Sequence, residues 1–119
     1  MAQHNDLGKE GEKLALDYLL AQGYQILEKN YTYLKAEVDV IALKENTLIA
    51  VEVKTRSSDY FGDPQDFIHP KKIKRLLLAI DQYVLEKNLD VTVRFDVIAI
   101  VKQKKAFQIE HLKDAFLYF

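Results

Sequence analysis

Asp39, Glu52 and Lys54 interrupt two stretches, 37–43 and 48–55, that otherwise read as strands rich in Val, Ile, Leu and Ala. If Lys44 and Thr47 close a turn around Glu45 and Asn46, Leu43 faces Leu48. Counting outward then sets Asp39 opposite Glu52 and Glu37 opposite Lys54, with all four side chains on one face. Opposed Cβ atoms stand about 4.5–5.5 Å apart, where like charges destabilise a sheet unless something offsets them. A divalent cation would do so: Mg²⁺ takes oxygen ligands at about 2.0–2.1 Å and keeps waters available for chemistry. Lys54, two residues past Glu52 on the same face, would reach a water or phosphate oxygen beside the ion. The alternative is a solvated strand face on which Glu37 and Lys54 form a surface ion pair of little worth. Val38, Val40, Ile49, Val51 and Val53 would then supply the core.

A third carboxylate comes from the first helix, expected from Asp6 as N-cap to Ala21 and stopped by Gly23. Leu7, Leu14, Ala15, Tyr18 and Leu19 form its buried arc; Lys9, Lys13 and Asp17 form the wet one, with Glu10 at its edge. Glu12 projects close to Leu16 and Leu19, on the flank that must meet the sheet, and suits a third metal ligand or a water-positioning base. Gly8 and Gly11 fall in the buried arc at a cost of about 1 kcal/mol each in helix propensity, which a close approach to the sheet would offset.

These residues need a scaffold. Strands are expected over 24–33, 37–43, 48–55 and 93–101, with 106–111 as a last strand. Residues 57–67, SSDYFGDPQDF, form a loop around Gly62 and Pro64, and Pro70 opens a second helix. Ile73, Leu76, Leu77, Ile80, Tyr83 and Val84 fall at helical spacing along it. The order αβββαβ implies an α/β or α+β domain with helices on a mixed sheet. At 119 residues, about half apolar, the chain fits one domain over 1–119. A formal charge of −1 confines any basic surface to a local patch, and the lack of cysteine removes disulfides and thiolate chemistry. The polar start MAQHNDLGKEGEK and the absence of a long apolar run point to a cytoplasmic protein without a membrane segment.

The local patch is HPKKIKR, which sets Lys71, Lys72, Lys74 and Arg75 in the first turns of the second helix, where cations oppose the helix dipole and an anionic ligand would relieve them. Lys72 points closest to the sheet, Lys74 reads as solvated, and Arg56 with the turn KQKK (102–105) would extend the patch. Tyr60 and Phe61 could stack on bases or be buried under the loop. Ser57 and Ser58 have no nearby histidine, His4, His69 and His111 lack ligand spacing and read as surface or loop residues, and Asp96 beside Arg94 reads as a structural ion pair.

GKEGEKLALDYLLAQGYQILEKNY, AEVDVIA, IAVEVKTRS, RFDVIAI and a late DAF together resemble the YraN-like endonuclease-related family of the PD-(D/E)XK nuclease superfamily, along nearly the whole chain. That family is similar to archaeal Holliday junction resolvases. The resemblance implies a restriction-endonuclease-like fold, a central mixed sheet flanked by helices. It maps the superfamily's acidic residue onto Asp39, its (D/E)XK element onto Glu52, Val53 and Lys54, and its helix glutamate onto Glu12. Ala36 stands where relatives often carry glycine. The implied reaction is metal-dependent endonucleolytic hydrolysis of DNA, structured or branched DNA among the candidates. Asp39, Glu52, the Val53 carbonyl and Glu12 would hold Mg²⁺ or Mn²⁺, Lys54 would orient the water or stabilise charge, and Arg56, Lys71, Lys72 and Arg75 would meet phosphates. Cutting two strands would favour a homodimer. The competing readings are a nucleic-acid-binding module without catalysis and an interaction or scaffold protein.

Overall fold

The computed structural model describes residues 2–56 and 70–115, with side chains over 7–56 and 71–115. Helix α1 (Ala2–Ala21) leads into strands β1 (Gln25–Tyr33), β2 (Ala36–Lys44) and β3 (Thr47–Arg56). Helix α2 (Pro70–Lys87) then precedes β4 (Thr92–Gln103) and β5 (Ala106–Leu112). α1 starts four residues before the expected Asp6, because Ala2, Gln3, His4 and Asn5 include no proline or glycine to break it. It ends as expected at Gly23, whose φ of 91° lets its own N–H return to Leu20 and that of Tyr24 to Leu19. Asn88, at φ 52°, ends α2 in the same way.

The five strands form one sheet in the order β1-β2-β3-β4-β5, with β3 and β4 parallel and every other pair antiparallel. The α/β architecture and mixed sheet are as expected, and the last strand is present. The hairpin register also matches: Lys44 pairs with Thr47 and Leu43 with Leu48, with Glu45 at φ 55° in the turn. Parallel β3 and β4 require a crossover, and α2 lies within it.

Each face of the sheet has its own core. On one side Val38, Ile41, Leu48, Ala50, Phe95 and Val97 pack under Ile73, Leu76, Ala79, Ile80 and Tyr83 of α2. On the other, Val40, Ala42, Ile49, Val51, Ile98 and Ile100 pack under Ala15 and Leu19 of α1. Leu77, expected in the α2 stripe, is exposed, because the stripe is narrow enough for Ile73, Leu76, Ile80 and Tyr83 to fill. Gly11 meets the sheet so closely that an added Cβ would lie 1.9 Å from Thr55 Oγ1, whereas Gly8 faces open space and is not the close contact expected. No described helix is long and apolar enough to cross a membrane.

Candidate active site

The β2–β3 ladder runs from Lys44–Thr47 to Val40–Val51. Beyond it β2 continues against β1, with Val38 on Tyr31 and Ala36 on Tyr33, while β3 continues against β4, with Glu52 on Val97 and Lys54 on Ala99. The two strands part at Asp39 and Glu52, so the pairs Asp39–Glu52 and Glu37–Lys54 expected from simple counting do not form. Val38 belongs to the α2 core and Val40 to the α1 core, so strict alternation breaks at Asp39. Its β1 neighbour Asn30 sits in the left-handed region at φ 54°, skipped between the Lys29–Val40 and Tyr31–Val38 pairs. The Asp39 side chain instead accepts the Val53 N–H at 2.8 Å. A carboxylate thus takes a main-chain donor that the parted strand no longer reaches.

Glu52 keeps the alternation of Leu48 and Ala50, which turns it toward α2, where it is 4% exposed. Lys72 Nζ donates to Glu52 Oε2 at 2.5 Å, and Lys54 Nζ stands 3.5 Å from the same oxygen. Lys72 therefore points to the sheet as its helical position implied, while Lys71, Lys74 and Arg75 are exposed.

A cleft of about 670 Å³ opens at this fork, lined by Asp39, Glu52, Val53 and Lys54 from the strands and by Glu12 from α1. Lys71, Lys72 and Arg75 of α2 form its opposite wall. Arg56 lies just outside, in an adjoining hollow that shares Glu12, Val53 and Lys54. Eight of the nine residues expected to act together thus share one cleft, and the ninth adjoins it. Lys35 and Glu37 also line it. Lys35 belongs to none of the motifs that mark the other residues; its one signal in the sequence is a Leu-Lys pair in a turn, where Gly, Asn or Asp is usual. The KQKK turn lines neither hollow, although it begins beside Arg56, which pairs with Val101; Lys102 meets Glu10 at 3.9 Å and the ring of Phe107. The loop over 57–67, with Ser57, Ser58, Tyr60 and Phe61, together with His69, lies outside the described residues.

Electrostatics single out Asp39. Burial raises its carboxyl, the Glu52 charge adds to this, the Val53 N–H opposes it, and Glu12 and Glu37 contribute further; the outcome is a pKa of about 7. The donor set of Asp39, Glu52 and the Val53 carbonyl is all hard oxygen, which suits Mg²⁺ or Mn²⁺ and not a soft metal. Among the described residues no three Asp, Glu or His side chains gather closely enough to form a complete cage. Two carboxylates with water and substrate oxygens are what Mg²⁺ ordinarily uses. The Lys72 ammonium sits on Glu52 Oε2, so an ion at this oxygen would take the place of that contact. The residues therefore fit such an ion.

A second polar cluster lies on the α1 side. Asp96, fully buried, accepts from Arg94 Nε at 2.9 Å and Nη2 at 2.8 Å, and from the Asp114 N–H at 3.0 Å. His111 Nε2 lies 2.7 Å from Asp96 Oδ2, and His111 Nδ1 3.0 Å from the Tyr18 hydroxyl. Burial alone would raise the Asp96 carboxyl, but hydrogen bonds from His111 and Arg94 hold it below the usual range. The ion-pair reading of Asp96 stands, whereas His111 is a correction: its side chain is 5% exposed and locked into this network, not a surface histidine. The β4–β5 register, Ile98 on His111, brings it there from fifteen residues away.

Comparison with known proteins places the chain in a family. Residues 11–100 match the family described as "Uncharacterised protein family UPF0102". A UPF0102 protein of Christiangramia forsetii is 60% identical over 119 residues, all of both chains. One from Flavobacterium psychrophilum is 56% identical over the same span, and one from Parabacteroides distasonis is 47% identical over 116 residues, 98% of this chain and 96% of that one. The chain belongs to the UPF0102 family.

Proposed function

We propose that this protein is a metal-dependent endonuclease of the PD-(D/E)XK superfamily, with a restriction-endonuclease-like fold, hydrolysing phosphodiester bonds of DNA in the cytoplasm. The observation that carries this reading is the fork itself, where Asp39 and Glu52 share one cleft with Lys54, Glu12 and the cationic wall of α2. Asp39, Glu52 and the Val53 carbonyl would hold Mg²⁺ or Mn²⁺, with waters and substrate oxygens completing the set, because Glu12 does not gather with the two carboxylates closely enough to be a third ligand. Such an ion supplies Lewis-acid polarisation of a phosphoryl oxygen and acidifies a water. Lys54 orients the attacking water and stabilises charge developing on the phosphate; the Glu12 carboxylate accepts the proton. Lys71, Lys72 and Arg75 hold the strand by its phosphates, and Arg56 extends that track past the cleft. A domain with one such centre would cut both strands of a duplex as a pair of copies.

A specific observation favours a second reading. Lys72 already neutralises Glu52, as it would in a nucleic-acid-binding module that had given up catalysis. Incubating the protein with single-stranded, duplex and branched DNA, with Mg²⁺, Mn²⁺ or EDTA, separates the two. Cleavage that needs the ion and disappears in Glu52→Gln supports the nuclease; binding without cleavage under every condition supports the module.

A further inference from the structure

The turn between β1 and β2 carries an apolar side chain in an unusual place. Leu34 has φ 57° and is 79% exposed, although a left-handed backbone disfavours a bulky side chain and turns of this kind usually hold Gly, Asn or Asp. Across from it on α2, Leu78 is 56% exposed. Leu34, Leu78, Tyr33 and Ala36 wall a hollow of about 400 Å³, with Lys35 and Arg75 as its charged members. Lys35, Ala36 and Arg75 also line the cleft that contains Asp39 and Glu52, so the hollow adjoins the cleft.

We infer that this hollow is a nucleobase subsite, which takes an unpaired or unstacked base next to the phosphate held in the cleft. An apolar floor with cations at its edge matches a flat, weakly polar ring carried on a backbone with a negative charge at each phosphate. Leu34, raised on a hairpin tip, would cover one face of the base or wedge into the stack, as apolar side chains do when they open a base step. A second copy of the chain is a poorer occupant. Two-fold pairing would bring Lys35 and Arg75 toward their own counterparts, next to Lys71 and Lys72. The inference rests on the nucleic-acid reading of the cleft and adds a preference for single-stranded or distorted sites over regular duplex.

The test compares a labelled single-stranded oligonucleotide with a strand of equal length whose central nucleotides are abasic, both by fluorescence anisotropy in Ca²⁺. Wild type should bind the base-bearing strand roughly tenfold more tightly, in the range that stacking of one base supplies. Leu34→Asn combined with Leu78→Ala should erase that difference while leaving abasic binding and the salt slope unchanged. Both positions are exposed, asparagine tolerates the left-handed turn, and alanine suits the helix, so the fold should persist. Equal wild-type affinity for the two strands, with a normal salt slope, overturns the subsite and leaves the nuclease reading standing. Failure to bind either strand overturns both. A wild-type dimer that the double variant dissociates, with base preference intact, assigns the hollow to a second copy and overturns the subsite.

Discussion

The Asp39 carboxylate, one residue beyond the last β2–β3 ladder pair, accepts at 2.8 Å the N–H of Val53, two residues beyond that pair on β3. The bond lies at the point where the sheet divides, so the same side chain that satisfies the parted backbone also charges the cleft. Asp39 therefore has two roles that pull in opposite directions. Its acceptor oxygen supports β3, while its charge repels Glu52, Glu12 and Glu37.

The pH dependence of stability should expose this conflict. Because the folded value of about 7 lies above the unfolded value of 3.8, folded protein holds the proton more tightly. The stability this gives is fully present below the unfolded value and is lost as pH rises through about 7. Metal-free melts should therefore decline between those limits, and Asp39→Asn, which keeps an acceptor for Val53, should flatten the decline. At pH 8 the variant should exceed wild type by on the order of 1 kcal/mol, well short of the full shift because the cleft is open to water.

Glycines in α1 give a second contrast. Gly11→Ala would push a methyl group into Thr55 and should destabilise the protein or displace α1. Gly8→Ala meets open space and should stabilise it by up to about 1 kcal/mol. Denaturant midpoints of the two variants measure both signs.

Lys72→Met should leave Glu52 with only the more distant Lys54, lowering metal-free stability by about 2 kcal/mol. Saturating Mg²⁺ should restore part of the loss. Unchanged urea midpoints would mean that the Lys72–Glu52 contact contributes nothing in solution.

Much of this site was legible because it depends on local rules. The Leu43–Leu48 register followed from a short turn and period-two alternation, the Gly23 stop from helix capping, and the aim of Lys72 from helical spacing. What could not be read depends on three elements at once. The parting of β2 from β3 involves β1 on one side and β4 on the other, with Asn30 in a left-handed conformation and the side-chain alternation broken between Val38 and Val40. His111 looked solvent-facing because its partners Asp96 and Tyr18 are distant in sequence and meet it only through the β4–β5 register and the packing of α1.

The Asp96 network should matter for stability and not for metal response. Arg94→Met strips two hydrogen bonds from a fully buried carboxylate and should cost roughly 3 kcal/mol or more. Asp96 sits below its usual value, so its contribution holds above the unfolded value of 3.8 and is lost as pH falls through the still lower folded one. The melting increment produced by Mn²⁺ should survive in Arg94→Met, measured at a temperature where the variant is folded.

Thermal melts with and without Mg²⁺ or Mn²⁺ test most directly whether Asp39 and Glu52 form a metal centre, because an ion that binds only the folded state must raise its melting temperature. Wild type should gain several degrees at millimolar Mn²⁺, a rise of roughly 4 °C or more corresponding to about 1 kcal/mol for a domain near this size. Asp39→Asn should be the more stable protein without metal and should gain nothing from it. A wild type indifferent to both ions, beside an Asp39→Asn variant that melts lower than wild type, would contradict the account and leave the acidic pair as architecture.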